Sequence, residues 1–376
     1  MLRLALMFDG FRNVARLARW LGPWADDAFL PRGIQREEVS YPMGNGGGSV
    51  RVWAYWPQRK KLKGAYLLGP GFHFLGAPHP RMDRLARVLA SVGNLVFSPF
   101  ISDYMNMRIR PDSAEEFKAA FDGLLVHPRF PAGVKPGVFA ISFGSWLALK
   151  LATDSRRGSR VGGMVLFGGY ADWEETIEFT VSGEIRGVSQ GAYDIRNVAA
   201  VFRHLLEAFD VSDDVGLLLN QRWMELIRRT WEIDSMKTRK ACADLAAELM
   251  VGLPEKVRPL FLQGCGVGGG AKEVVQKGLE SLDFSYLNTG SDFPKISCPV
   301  YLVHGYDDDV IPYSQSQKLF EMLPSHIEKD LLLTGLYGHS RSEKGGLSGK
   351  LGAVITELVV MFRMLKVLEE IGRKGA

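Results

Sequence analysis

Ser142 is the residue whose surroundings in the sequence most strongly indicate chemistry. It directly follows an apolar run at 134–141 that predicts a buried strand, and an apolar segment at 146–152 that predicts a helix comes after it. So sharp a strand-to-helix turn has room only for small neighbours, here Ala140 and Gly144. The turn lifts the hydroxyl above the edge of the sheet, next to helix N–H groups that stabilise negative charge. The segment predicts a nucleophilic serine, although a serine at this position could also serve only as a helix cap.

Two later segments could supply the base and the acid that a serine nucleophile needs. A serine hydroxyl attacks only when a base takes its proton, and a carboxylate must hold that base in the correct tautomer. An apolar run at 300–303 predicts a strand and leads into three consecutive aspartates at 307–309. A second run, at 329–333, leads into His339, which is the only histidine beyond it. Any one of the three aspartates could be the acid, and the others would then be turn or capping carboxylates.

Together these segments resemble the α/β-hydrolase superfamily of enzymes. The serine signature of that superfamily is G-x-S-x-G, from which this chain departs by having Ala140 in place of the first glycine. The segment from His304 to Pro312 resembles the superfamily's acid loop, and its register implies Asp308 as the acid. The resemblance thereby implies a triad of Ser142, Asp308 and His339, in the chain order that this superfamily uses.

The same resemblance implies an oxyanion hole made of two backbone N–H groups. One of them belongs to Phe143, the residue after the nucleophile. The other comes from the loop that follows an early strand, here Gly69 to His73, where the register implies Phe72. The rings of Phe72 and Phe143 could also line the acyl pocket. His73 and the nearby His79 are expected to organise this loop and to take no part in the reaction.

The elements that must position these residues follow from the hydrophobic pattern of the chain. The runs at 37–41 and 49–56 predict an antiparallel hairpin, because a glycine-rich turn joins them and the second run alternates between apolar and polar residues. From 65 to 167 short apolar runs alternate with helical segments, which predicts a parallel sheet with crossovers. We therefore predict an α/β fold with a doubly wound, mostly parallel sheet and a helical cap inserted after the sixth strand.

The chain divides into three predicted parts. Residues 25–170 and 296–376 carry the resemblance and form the core, and residues 171–295 form the helical cap. Residues 1–24 predict an amphipathic helix, because apolar residues share one face and arginines lie opposite. We expect this helix to pack on the core. A helix that lies in a membrane interface and a transit peptide are the alternatives.

Composition excludes several classes of protein. The chain has 376 residues and a net charge of +4 without a long basic block, so we expect no nucleic-acid partner. Cys242, Cys265 and Cys298 match no metal spacing and fit a reducing compartment, so we expect a cytoplasmic protein. The run at 264–269 matches a phosphate-binding glycine pattern but follows a predicted helix. We therefore predict a loop there, and no cofactor or metal.

These observations predict a hydrolase that cleaves a small-molecule carboxylic ester through an acyl-enzyme. The many apolar residues of the predicted cap favour a hydrophobic acyl or alcohol group. Acyl transfer and thioester cleavage would use the same triad, and a ligand-binding protein could have kept the fold without activity. A lipase that contacts membranes peripherally through residues 1–24 is a further alternative. The sequence leaves the oligomeric state open.

Overall fold

The computed structural model describes residues 2–22, 29–44, 47–288, 290–335, 351–373 and 375, and of residues 2–9 and 351–356 it describes only the backbone. Ten strands lie among these residues. In chain order they are β1 (Ile34–Pro42), β2 (Ser49–Pro57), β3 (Gly64–Gly69), β4 (Asn94–Pro99), β5 (Gly137–Ile141), β6 (Gly163–Phe167), β7 (Glu184–Ile185), β8 (Val188–Ser189), β9 (Val300–Gly305) and β10 (Lys329–Thr334).

The α-helices within the described ranges flank the sheet or fill the segment between β6 and β9. In chain order they are α1 (Leu2–Leu21), α2 (Pro80–Ser91), α3 (Ser102–Met105), α4 (Pro111–Val126), α5 (Gly144–Ala152), α6 (Trp173–Ser182), α7 (Val198–His204), α8 (Asp213–Thr230), α9 (Arg239–Leu249), α10 (Arg258–Gly264), α11 (Ala271–Ser281), α12 (Tyr313–Met322) and α13 (Leu351–Glu370).

Eight of the described strands form one twisted sheet in the order β1-β2-β4-β3-β5-β6-β9-β10. β2 pairs antiparallel with both β1 and β4, and every later pair is parallel. The hairpin of β1 and β2 is therefore confirmed. The mostly parallel, doubly wound sheet and the helical segment inserted after β6 confirm the predicted fold class. This is the α/β-hydrolase fold.

Helices cover both faces of the sheet, and this explains the unbroken apolar runs of its central strands. β3, β4 and β9 are buried along their whole length, as expected for parallel strands packed on two sides. One face forms a core with α1, α2 and α13, and the other forms a core with α4, α5 and the inserted helices. The charged residues Glu37 and Glu38 lie on β1 at the open edge, where charge discourages pairing with another chain.

Apolar side chains of α1 pack on the first of these cores. Val14 and Leu17 are buried in the same cluster as the apolar face of α13. Asn13 donates to Glu369 at the end of α13, and Arg16 donates to the carbonyl of Ser91 at the end of α2. Val14 and Leu17 of this helix are thus covered by the protein itself, while Phe11, one turn earlier, is exposed. Peripheral membrane contact through residues 1–24 stays a prediction.

None of the helices formed by the described residues combines the length and the apolarity that crossing a bilayer requires.

The segment between β6 and β9 is mainly helical and carries a small antiparallel hairpin of β7 and β8 that the sequence does not predict. These strands have only two residues each, too few to show a period. The glycine run at 264–269 starts at Gly264, the last residue of α10, and continues beyond the end of that helix. Gly266 has a φ of +72°, a left-handed conformation that glycine adopts readily and that commonly terminates a helix. From Cys265 onward the run is a loop, as predicted.

Candidate active site

Ser142 occupies a strained turn between β5 and α5. Its φ is +54°, and it is one of four residues other than glycine with a positive φ among those described. The turn is held from both sides, because Ser142 N–H donates to the carbonyl of Phe167 at 2.7 Å and Ser145 N–H donates to the Ser142 carbonyl at 2.9 Å. Such backbone strain costs about 1–3 kcal/mol and is concentrated at functional sites. The serine is 3% exposed and lines a cavity.

The small neighbours of Ser142 are required by close contact with the loop after β3. A Cβ placed at Gly144 would lie 2.5 Å from the carbonyl oxygen of Pro70, so only glycine fits. A Cβ placed at Gly69 would lie 2.8 Å from the Cβ of Ala140. The methyl group of Ala140, the one departure from the superfamily signature, is therefore accommodated because Gly69 has no side chain.

Asp308 lies in the loop after β9, and its side chain is held by the loop itself. Its Oδ1 accepts from the backbone N–H of Val310 at 2.9 Å and of Ile311 at 2.8 Å. Its Oδ2 lies 3.3 Å from Nε2 of the fully buried His304, which also lies 2.8 Å from the Ile311 carbonyl oxygen. Since both neighbours are acceptors, Nε2 of His304 is a donor in this loop. His304 thus organises the loop.

Burial distinguishes the three aspartates. Asp308 is 7% exposed, Asp307 is exposed, and Asp309 is half-buried and lines the cavity. Lys237 from the inserted segment lies 3.7 Å from Asp309. Asp309 therefore contacts the insertion, while Asp308 is fixed within the core.

The sheet brings the ends of β5 and β9 to one edge. β6 pairs with both strands in parallel, so Ser142 and Asp308 follow strands that are separated by one neighbour. β10 pairs in parallel with β9 on its other side and ends at Thr334. His339, the predicted base, lies outside the described residues. Its role stays a prediction that its position after β10 favours.

The two residues of the predicted oxyanion hole are neighbours in space. The rings of Phe72 and Phe143 are 5.6 Å apart and both line the cavity. The buried hydroxyl of Tyr104 donates to the Phe143 carbonyl at 2.8 Å, and the Tyr104 ring lies 5.6 Å from that of Phe72. Tyr104 thus contacts both predicted donor residues. Nothing in the local sequence pattern around Tyr104 indicates a contact with residues so distant in the chain.

The cavity in front of Ser142 has a volume of about 370 Å³ and lies between the sheet and the inserted helices. Most of its wall is apolar or aromatic, which suits a small organic ligand. The core contributes the loop after β3 and the serine turn. The insertion contributes Val201, one of the apolar cap residues expected to favour a hydrophobic ligand. It also contributes five residues that the local sequence pattern does not mark as functional: Trp173, Ile177, Asn197, Trp231 and Glu232. His204, the last residue of α7, also lines this cavity.

A buried ion pair fixes the part of the insertion that faces the cavity. The guanidinium of Arg196 contacts the carboxylate of Asp194 through Nε, at 2.9 Å from each oxygen. The same guanidinium donates to the carbonyls of Thr230 at 2.8 Å and of Ile233 at 3.1 Å. It therefore holds the turn after α8 in place. Trp231, whose Nε1 donates to the Arg196 carbonyl at 3.3 Å, lies on this turn.

His73, His79 and Glu232 form the one group among the described residues whose ligand atoms are close enough to hold a metal ion. Both imidazoles accept at Nδ1 from backbone N–H groups, of Leu75 and of Arg81. Their protons therefore lie on Nε2, the atoms that a metal would need. His79 Nε2 lies 3.5 Å from a carboxylate oxygen of Glu232. The hydrogen bond from His79 and the nearby charge of Arg81 lower the pKa of Glu232 to about 2. This arrangement fits an ion-paired cluster better than a metal site, and the histidines organise the loop as expected.

The sequence matches no family model and no curated protein. Among solved structures it is similar to an acylaminoacyl peptidase from Pyrococcus horikoshii (12% identity over 92% of this chain and 43% of that chain, TM-score 0.49). It is also similar to an esterase from Pyrococcus furiosus (13% identity, 88% and 91%, TM-score 0.47) and to a dienelactone hydrolase-like promiscuous phosphotriesterase from metagenomic libraries (13% identity, 89% and 99%, TM-score 0.44). The chain spans less than half the length of the peptidase. At these identities the likeness concerns the fold.

Proposed function

We propose that this chain is a serine hydrolase that cleaves a carboxylic ester, with Ser142 as nucleophile, Asp308 as acid and His339 as base. The observation that carries the proposal is the positive φ of Ser142, which lies just before the N-terminus of α5 and lines a cavity of ligand size. A serine that merely capped a helix would have no need of this strain.

The reaction follows from this arrangement. His339 takes the hydroxyl proton as Ser142 attacks the ester carbonyl, and the negative oxygen is bound by the N–H groups of Phe72 and Phe143. Collapse of this intermediate expels the alcohol, which takes the proton from His339, and leaves the acyl group on Ser142. Water, activated by His339, then releases the acid. Asp308 orients His339 and stabilises its charged form.

The helical insertion acts as a cap in this proposal. Its side chains form one side of the cavity wall, and a covered cavity excludes water and strengthens electrostatic stabilisation. Because the wall is mainly apolar, we propose a small-molecule ester with a hydrophobic acyl or alcohol group. An acyl-enzyme could also pass its acyl group to an alcohol or arise from a thioester, and product analysis with competing alcohols separates these reactions.

The test uses nitrophenyl esters of increasing acyl length and a fluorophosphonate label. We expect cleavage by the wild type, a loss of at least about 10³-fold in kcat in Ser142→Ala, and labelling that this variant abolishes. Ser145→Ala is the matched control, because Ser145 is a fully buried serine of the same turn and helix that lies outside the proposed machinery. Labelling retained in Ser142→Ala, or absent in folded wild type, would refute the proposal.

A further inference from the structure

Four N–H groups on side chains that line the cavity are buried and have no hydrogen-bond acceptor among the described residues. They are Nε2 of His73, Nε1 of Trp173, Nδ2 of Asn197 and Nε2 of His204. Apart from Nε atoms of arginines, they are all the buried side-chain nitrogens without an acceptor in the described part of the chain. Each such group costs about 1–3 kcal/mol. Their concentration around one cavity indicates that a bound molecule supplies acceptors.

The two imidazoles are donors because the backbone determines their tautomer. Nδ1 of His73 accepts from the N–H of Leu75 at 3.1 Å, and Nδ1 of His204 accepts from the N–H of Ile109 at 3.3 Å. A neutral imidazole has one proton, which must then be on Nε2. Burial lowers the pKa of each histidine to about 3. At neutral pH both therefore donate without carrying a charge.

The rest of the wall disfavours an acidic ligand group. Each cation that the structure describes on this wall, namely Arg81, Arg196 and Lys237, faces a carboxylate of the same wall. A ligand carboxylate would lose its hydration without gaining a cation of its own, which is strongly unfavourable. The acceptor that matches four uncharged donors is therefore an uncharged oxygen.

Ring contacts connect two of these donors to the serine turn. The ring of Trp173 lies 5.8 Å from that of Phe143, and the ring of His204 lies 5.1 Å from that of Trp173. Because the scissile carbonyl oxygen is bound by the N–H groups of Phe72 and Phe143 in the proposed reaction, these donors call for a second ligand oxygen.

We propose, building on the esterase function above, that the substrate carries an uncharged carbonyl oxygen in addition to the scissile ester. The N–H groups of Trp173 and His204 donate to this second oxygen, and those of His73 and Asn197 extend the set of donors for further oxygens. The substrate class is a keto ester, a diester or an amide-containing ester, and not an ester of a plain hydrocarbon chain.

The test compares pairs of nitrophenyl esters of equal length. One member has a ketone at a given chain position and the other has a methylidene group of the same shape. We expect one position at which the wild type prefers the ketone by about 10-fold or more in kcat/KM, because a carbonyl that matches buried donors is favoured over carbon. Trp173→Phe and His204→Phe keep an aromatic ring and should each lower this ratio about fivefold or more.

Trp231→Phe is the matched control. It removes an indole N–H from the same cavity wall, but that group already donates to the Arg196 carbonyl. We therefore expect it to keep the ketone preference. Circular dichroism identifies a variant that fails to fold, and the other variant then decides.

A ratio near one at every position in the wild type, or a preference that survives in both variants, overturns this inference while leaving the esterase proposal intact. If the wild type cleaves no ester, the esterase proposal fails, and the same pairs are titrated by calorimetry. Tighter binding of the ketone member in the wild type but not in His204→Phe then supports the inference, and equal binding of both members overturns it.

Discussion

Replacing His204 by phenylalanine should remove part of the protein's sensitivity to acid. The pKa of His204 falls from its usual 6.5 to about 3, because the ring is buried and Arg108 and Arg110 lie nearby. Between these two values the unfolded chain binds a proton that the folded chain does not. Stability is therefore complete above about pH 6.5 and falls as the pH decreases toward 3.

The magnitude follows from the shift. For one histidine with these two pKa values, the free energy of unfolding falls by about 2 kcal/mol between about pH 7 and about pH 5. His73, whose pKa is also lowered to about 3 by burial, contributes a similar fall. His204→Phe should lose less stability than the wild type over this interval, by about 2 kcal/mol, because the contribution of His73 and of all other groups cancels in the comparison.

Urea unfolding followed by circular dichroism at the two pH values measures this difference. Phenylalanine can keep the packing against Trp173 and Phe284, whose rings lie 5.1 and 5.2 Å from the imidazole. It leaves the N–H of Ile109 without its acceptor, but that loss is the same at both pH values. Phe209→Leu, which perturbs aromatic packing with Phe202 and Trp223 elsewhere in the insertion, should retain the wild-type pH dependence. Equal acid sensitivity in His204→Phe and wild type would refute the reasoning.

Three further changes test the geometry of the site. Tyr104→Phe should lower kcat about fivefold with little change in KM, because it removes the hydrogen bond to the Phe143 carbonyl. Tyr66→Phe removes a buried hydroxyl that is bonded to the carbonyl of Leu368 on the other face of the sheet, and it should leave kcat unchanged. Equal kcat in Tyr104→Phe and wild type would contradict the positioning role. Gly69→Ala should destabilise the fold by about 1–3 kcal/mol, because the added methyl group overpacks against Ala140. In a double-mutant cycle of urea unfolding, Ala140→Gly should recover part of this loss. Additive effects would show that the two side chains do not contact each other. Arg196→Met should lower the free energy of unfolding by about 3–5 kcal/mol, because it leaves Asp194 buried without its cation. Asp194→Leu in the same chain should restore most of this stability. No recovery of the urea midpoint in the double variant would argue against the ion pair.

Much of the fold could be predicted from the sequence because its determinants are local. The hairpin of β1 and β2 follows from a glycine-rich turn between two apolar segments. The order of strands and helices follows from the hydrophobic periodicity of individual segments, each of which is short. The ends of some elements differ from the predicted ones because of local backbone chemistry. β5, for example, begins at Gly137 and not at Val134, and Pro136, which lacks a backbone N–H to donate to a neighbouring strand, directly precedes it.

By itself the sequence determined that a serine ends a buried strand before a helix, and that aspartates and a histidine follow later strands in the order Ser, Asp, His. Only the tertiary structure decided which aspartate is buried in the core, why Ala140 fits beside Gly69, and which donors line the cavity. The physical reason is that burial and unsatisfied hydrogen bonds are properties of contacts between residues far apart in the chain. Trp173 and His204 acquire their significance only when α6 and α7 pack over the serine turn.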